Sequence, residues 1–196
     1  MVTSAIFASS SLSGDLAAVA ERLRRITVQV RNQRIGDGSG IIWGPDGLIV
    51  TNAHVAQSRT PAIELWDGRV LHGRLEWRDP RRDLALFTIP AGDLPQPDLG
   101  DVRALRPGEI VLALGHPFGL VNALALGVVH QWRADPRRDH WIRADIRLAP
   151  GNSGGPLANA AGEVIGLNTL VAGGLAHAIP VSAVRRFLNE SGALAA

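Results

Sequence analysis

A serine lies among glycines in residues 151–156, in the order Gly-Asn-Ser-Gly-Gly-Pro. Such a stretch predicts a sharp turn that presents the Ser153 hydroxyl while backbone N–H groups point at one spot beside it. This arrangement suits a nucleophile with an oxyanion hole, whose candidate donors belong to Gly151, Asn152 and Ser153. The residues therefore predict nucleophilic attack on a carbonyl carbon.

Two other residues provide the groups that such a serine needs. A serine hydroxyl is a weak nucleophile, and a neighbouring imidazole can take its proton and later return it. His54 follows one apolar run and is the candidate base, while Asp83 precedes another and is the candidate to orient the imidazole. Asp79 is the alternative to Asp83, but it stands before Pro80 and is typical of a turn residue.

The remaining histidines need no catalytic role. His72, His130 and His140 lie in stretches with a polar face and are expected at the surface, and a structural role is expected for His116. Cysteine is absent, which excludes disulfides, thiolate metal sites and a cysteine nucleophile. Because no group of His, Asp and Glu has the spacing of metal ligands, we expect no metal and no cofactor.

The composition is that of a globular protein with one domain or two small ones. The chain has 196 residues, 46% of them apolar, which is enough to bury a sizeable core. Its basic residues are all arginines, so a net charge of only +2 accompanies a pI of about 10.7. Since acidic residues are interspersed among the arginines, nucleic-acid binding is disfavoured. No run is long enough to span a membrane.

Short apolar runs separated by Gly, Pro and Asp predict strands, and no helical pattern long enough for a crossover separates them. Asp67-Gly68 predicts a hairpin turn. The expected fold class is all-β, with two six-stranded antiparallel barrels and a short helix at each end. The predicted boundaries are a flexible leader at 1–14, a helix at about 15–25, a first barrel at about 26–92, a linker at about 93–108, a second barrel at about 109–181 and a closing helix at about 183–190, so that one domain spans 15–196.

Several segments resemble trypsin-like serine proteases of the HtrA/DegP type, in the right order and over nearly the whole length. The resemblance implies the chymotrypsin-like two-barrel fold and a His54, Asp83, Ser153 triad that works through an acyl-enzyme intermediate. The matching stretches are Gly38–Ile42, Gly47–Val55, Asp83–Leu86, Gly115–Gly119, Pro150–Leu157, Gly162–Gly166 and Ala178–Pro180.

The same resemblance implies a serine endopeptidase that cleaves unfolded or exposed protein segments, with a role in protein quality control. The implied substrate-binding residues are Leu148, Thr169, Leu170, Val171, Ala172 and His177. None of them is acidic, so we expect an apolar pocket and cleavage after small or medium aliphatic residues. Ala176 and His177 depart from the glycine and phenylalanine that the family often has.

Three further expectations concern the rest of the molecule. The family usually carries PDZ domains after the protease, whereas this sequence ends at Ala196, so we expect the protease domain only. The family often forms trimers through its N-terminal segment, which makes residues 1–25 the candidate contact. Residues 1–14 do not resemble a signal peptide, which favours the cytoplasm over a periplasmic or secreted location.

One alternative function belongs to a different class. A protease-fold scaffold or chaperone would bind client proteins with little or no cleavage. Such a scaffold has no need of a complete triad, and the presence of all three residues favours the enzyme.

Overall fold

The computed structural model describes residues 12–31, 37–120, 122–132 and 141–193. The predicted all-β class with a helix near each end is confirmed. Of the predicted leader, residues 1–11 lie outside the described residues, and the first helix already begins at Leu12. The elements are α1 (Leu12–Ile26), β1 (Thr27–Arg31), β2 (Gly38–Ile42), β3 (Leu48–Thr51), β4 (Ala62–Glu64), β5 (Val70–His72), β6 (Arg74–Asp79), β7 (Leu84–Thr88), β8 (Ile110–Gly115), β9 (Ala123–Gln131), β10 (Ile142–Asp145), β11 (Pro156–Asn159), β12 (Val164–Ala172), β13 (Leu175–Pro180) and α2 (Val181–Glu190).

The second half of the chain forms a closed antiparallel barrel of six strands. Its order around the ring is β10-β13-β12-β11-β8-β9, and β9 pairs with β10 to close it. Its interior is apolar, and both helices add buried side chains to the same core, among them Leu23 of α1 and Phe187 of α2. We call this half barrel two.

The first half, barrel one, is a seven-stranded antiparallel sheet in the order β5-β4-β1-β2-β3-β7-β6. Its two edge strands, β5 and β6, are consecutive in the chain and are separated only by Gly73. The sheet therefore curls until its edges meet, and β5 with β6 amounts to one bent strand. At the bend a Cβ on Gly73 would come within 2.6 Å of Cδ1 of Ile63, so Ile63 packs closely against the glycine.

The central strands of barrel one are apolar on both faces because each face packs on something different. Ile42, Ile49 and Phe87 lie across from one another in register and fill the inside of barrel one. Their chain neighbours Ile41, Val50 and Leu86 are also in register but belong to the core shared with barrel two. Because side chains alternate along a strand, these three strands join the two barrels back to back.

The predicted linker at about 93–108 lies against barrel two. Leu99 forms an isolated bridge with Val164, and a short 3-10 turn covers Val102–Ala104. The side chains of Val102 and Leu105 are buried in the shared core. The connection thus helps to fix the two barrels relative to each other.

We expect Phe87→Ala to lower the free energy of unfolding by about 3–5 kcal/mol, because the change opens a cavity inside barrel one. Phe87 is fully buried, whereas Phe118 is 76% exposed and offers a matched control. Phe118→Ala should change stability by less than about 1 kcal/mol. Urea unfolding followed by circular dichroism measures both, and equal losses in the two variants would contradict the assigned packing.

Candidate active site

His54 and Asp83 are brought together by the pairing of β3 with β7. His54 lies three residues beyond the end of β3, and Asp83 immediately precedes β7. The two strands are antiparallel, with Thr51 opposite Ala85, so the end of one meets the start of the other. Local sequence and strand register therefore place both residues at one edge of barrel one.

Both carboxylate oxygens of Asp83 bind His54. Oδ1 accepts the backbone N–H of His54 at 2.9 Å, and Oδ2 lies 2.8 Å from the imidazole Nδ1. The backbone of Asp83 is in the left-handed region, with φ of 55°. An Nδ1 that donates to a carboxylate leaves the lone pair of Nε2 as the acceptor, which is the tautomer that a general base requires.

Ser153 lies in the loop between β10 and β11, where barrel two faces barrel one. Its Oγ donates to the carbonyl oxygen of Thr169 on β12 at 2.9 Å. Among the described residues no hydrogen bond joins Ser153 to His54. The hydroxyl thus rests on a neighbouring strand, and its activation by His54 stays a prediction.

A buried asparagine links the two sides. Asn52 is 0% exposed, and its Nδ2 donates to the carbonyl oxygen of Asp83 at 3.0 Å and to Oγ1 of Thr169 at 2.9 Å. Thr169 thus contacts Asn52 through its hydroxyl and Ser153 through its carbonyl. Sequence reasoning missed Asn52, although a polar residue that directly follows an apolar strand beside His54 was a visible signal.

The candidate oxyanion donors differ in availability. In the portion of the chain that the structure describes, the N–H groups of Gly151 and Ser153 have no acceptor, whereas that of Asn152 donates to the carbonyl oxygen of Ala149 at 3.0 Å. Gly151 has φ of 107°, and a Cβ there would lie 2.7 Å from Cα of Pro117. The side-chain Nδ2 of Asn152 also donates to Ala149, at 3.1 Å. Asn152 therefore holds the turn.

Strand β2 of barrel one contacts the loop that carries Ser153. The N–H of Ser39 donates to the carbonyl oxygen of Ser153 at 2.8 Å, and Oγ1 of Thr51 donates to the carbonyl oxygen of Ser39 at 2.6 Å. Gly154, with φ of 86°, lies directly against that carbonyl, where a Cβ would collide with it. The loop can sit this close to β2 only because residue 154 is a glycine.

His116 lies beneath the same loop and is 3% exposed. Burial lowers its pKa from 6.5 to about 4; the carboxylate of Asp37 opposes this shift and the guanidinium of Arg31 adds to it. The imidazole is therefore uncharged at neutral pH. His116 is thus buried in contact with Ser39, as its expected structural role requires.

An apolar cleft of about 360 Å³ opens beside Ser153. Four of the six predicted substrate-binding residues lie in its wall, whereas Ala172 and His177 lie outside it. No lining side chain carries a charge. The lining residues are Leu148, Ala149, Pro150, Asn152, Ser153, Asn168, Thr169, Leu170 and Val171.

His177 lies on β13, opposite Leu170, and its ring packs edge-on against Trp141 with centroids 5.4 Å apart. Desolvation lowers its pKa, and the nearby charge of Arg143 lowers it further. Ala172 is exposed at the end of β12.

Within the described ranges there is no group of three or more His, Asp or Glu residues that could hold a metal ion, and no helix long and apolar enough to cross a membrane.

The low pKa of His116 predicts a pH-dependent loss of stability. The unfolded chain takes up the proton near pH 6.5 and the folded chain only near pH 4, so stability is full above about pH 6.5 and falls as the pH drops toward 4. Relative to His116→Asn, the wild type should lose about 2.5 kcal/mol of unfolding free energy between about pH 7 and about pH 4.5.

Urea unfolding of both proteins at the two pH values measures this difference. His130→Asn is the matched control, since His130 is exposed on β9. Parallel pH dependences of the wild type and His116→Asn would show that the buried imidazole does not resist protonation.

Comparisons with known proteins are consistent with this fold. Residues 38–167 match the family described as the trypsin-like peptidase domain. The chain is 42% identical to serine protease HTRA3 of Mus musculus over 176 residues, which is 82% of this chain and 38% of the relative. It is 39% identical to serine protease HTRA1A of Danio rerio over 181 residues, or 87% of this chain and 38% of that relative. The chain thus spans about two fifths of the length of these relatives. It belongs to the trypsin-like peptidase domain family.

Proposed function

We propose that this domain is a serine endopeptidase in which His54, Asp83 and Ser153 form the catalytic triad. The observation that carries the proposal is the pair of hydrogen bonds between Asp83 and His54, one to the imidazole and one to the backbone N–H. That contact fixes the ring and leaves Nε2 as a base. The membership of the chain in a peptidase family and its likeness to named serine proteases support the same reaction.

The proposed reaction begins when the Ser153 hydroxyl leaves the Thr169 carbonyl and its Oγ attacks the substrate carbonyl carbon. His54 takes the proton, and Asp83 stabilises the imidazolium that forms. The free N–H groups of Gly151 and Ser153 receive the developing oxyanion. His54 then protonates the leaving amine, an acyl-enzyme remains on Ser153, and water releases it by the same steps in reverse.

The proposed substrates are extended polypeptide segments with a small or medium aliphatic residue before the cleaved bond. The uncharged, apolar cleft beside Ser153 supports this preference, because its volume of about 360 Å³ suits an aliphatic side chain and offers no partner for a charged one. A folded protein presents few segments that can enter a crevice between two barrels. Unfolded or exposed segments are therefore the proposed targets.

A homotrimer is also part of the proposal, on the basis of the family resemblance alone. The apolar residues Val19 and Leu23 of α1 are buried against the chain's own core. The opposite face of α1, which includes Ala17, Ala18 and Glu21, is exposed and stays available to the candidate contact within residues 1–25. Sedimentation equilibrium of the chain measures its oligomeric state, and a monomer at all concentrations would contradict the trimer.

Replacement of Ser153 by alanine should abolish peptidase activity, since loss of the nucleophile costs on the order of 10⁶ in turnover in another serine protease. Asp83→Asn should lower turnover by about 10⁴ because the imidazole loses its orienting carboxylate. Asp79→Asn is the matched control, because Asp79 contacts its neighbours in the turn: Oδ1 accepts the N–H groups of Arg81 at 2.9 Å and Arg82 at 3.3 Å, and Oδ2 lies 3.3 Å from Nε of Arg82. The assay follows cleavage of a denatured protein.

A fluorophosphonate probe separates the enzyme from the scaffold. Covalent labelling of the wild type at Ser153, and none of Ser153→Ala, is the expected result. An unlabelled wild type that still binds denatured protein would favour the scaffold or chaperone.

Leu148→Ala should enlarge the cleft and shift cleavage toward larger aliphatic or aromatic residues before the cleaved bond. Leu148 lines the cleft, whereas Leu124→Ala on the outer side of β9 alters an exposed leucine and should leave the preference unchanged. Mass spectrometry of the products from a denatured protein mixture reads both preferences. An unchanged cleavage profile in Leu148→Ala would show that another surface sets specificity.

A further inference from the structure

Two buried polar side chains meet below Gly151, outside the proposed triad. Ser39 of β2 is 0% exposed, and its Oγ donates to the carbonyl oxygen of Gly151 at 2.7 Å. The same Oγ accepts the backbone N–H of His116 at 3.1 Å and lies 3.2 Å from the imidazole Nδ1. Three groups of barrel two thus converge on one hydroxyl of barrel one.

The single proton of that hydroxyl limits how Ser39 can contact the imidazole, which also has Asn122 as a side-chain hydrogen-bond partner. A serine hydroxyl has one proton, and here the Gly151 carbonyl receives it. The contact with Nδ1 is therefore a hydrogen bond only if Nδ1 carries a proton and donates it to Oγ. A neutral His116 protonated at Nδ1 satisfies both of its contacts with Ser39.

The peptide group that joins Pro150 to Gly151 is held by the segment that contains His116. The N–H of Phe118 donates to the carbonyl oxygen of Pro150 at 3.1 Å. In a trans peptide the carbonyl and the following N–H point in opposite directions, so the Gly151 N–H points away from residues 116–118. That N–H has no acceptor among the described residues, which is the condition expected of an oxyanion donor.

Phe118 adopts an unusual backbone to make this contact. Its φ is 53° and its ψ is 28°, although its side chain is 76% exposed and gains little from packing. A left-handed backbone is strained in a bulky residue and persists only where the surroundings impose it. Here the contacts of residues 116–118 with the serine loop hold Phe118 in this conformation.

We propose that Ser39 and His116 are positioning residues, which hold the carbonyl of Gly151 and thereby keep the Gly151 N–H aimed at the oxyanion. The inference rests on the proposed peptidase function. Neither residue reaches the substrate; each acts through the peptide groups on either side of Gly151. If Ser39 lost its hydroxyl, the Gly151 carbonyl would lose its strongest partner and keep only the His116 N–H at 3.4 Å.

The test compares Ser39→Ala, His116→Leu and His116→Asn, with Ser182→Ala on α2 as the matched serine control. Each variant is first checked for folding by circular dichroism. Steady-state cleavage of one peptide gives kcat and KM. The inhibition constant of a peptidyl trifluoromethyl ketone, which forms a tetrahedral oxyanion adduct on the serine, reports the oxyanion hole directly.

We expect Ser39→Ala and His116→Leu to lower kcat by about 10- to 100-fold, somewhat less than the direct loss of one oxyanion donor. KM should change by less than about 3-fold, and the ketone should bind more weakly by the same factor as kcat falls, because only the tetrahedral state uses the hole. His116→Asn should stay within about 3-fold of wild type, since its amide N–H takes the place of Nδ1–H. Ser182→Ala should match wild type.

The outcomes separate this inference from the function beneath it. A wild type that neither cleaves peptide nor reacts with a fluorophosphonate overturns both. An active wild type with a folded Ser39→Ala of unchanged kcat and ketone affinity overturns only the positioning role. If Ser39→Ala does not fold, the pair at 116 decides, and equal kcat values for His116→Leu and His116→Asn overturn the proposal.

Discussion

The arrangement of this site depends on the contact between the backbone of Ser39 and the loop that carries Ser153. The N–H of Ser39 binds the Ser153 carbonyl at 2.8 Å, and the carbonyl of Ser39 lies against Gly154. Both groups belong to β2 of barrel one, whereas the loop belongs to barrel two. Strand β2 of barrel one thus supports the loop of barrel two that carries Ser153, and any side chain at position 154 would push the loop away from the strand.

The contact between β2 and the serine loop is supported by apolar side chains on the faces of β2, β3 and β7 that point toward barrel two. Ile41 follows Gly40 on β2 and is fully buried in the core shared with barrel two, together with Val50 and Leu86. His54 and Asp83 lie just beyond the same strands, β3 and β7. The apolar contact that joins the barrels therefore also positions the two strands that lead to His54 and Asp83.

Local patterns in the sequence were sufficient for the parts of the structure that depend on neighbours in the chain. The hairpin at Asp67-Gly68 and the closing helix follow from turn residues and periodicity. The bend at Gly73 was not foreseen, because it arises from the crossing of Ile63, which lies ten residues earlier in the chain. Asn52 and Ser39 were missed for a related reason. Their partners, Thr169 and Gly151, lie more than a hundred residues away, and no spacing rule connects them.

Thr169 shows how closely the two barrels are coupled at the proposed site. Its carbonyl accepts the Ser153 hydroxyl, and its own hydroxyl accepts the amide of Asn52, which also holds the backbone of Asp83. In the proposed reaction, Ser153 would exchange its hydrogen bond to the Thr169 carbonyl for one to Nε2 of His54. Neutral hydrogen bonds contribute about 1 kcal/mol each, so gaining one nearly offsets losing the other and the exchange itself costs little free energy. A substrate whose backbone N–H donated to the Thr169 carbonyl would compete with the Ser153 hydroxyl for that acceptor. Binding of a peptide backbone would then free the hydroxyl to bind His54.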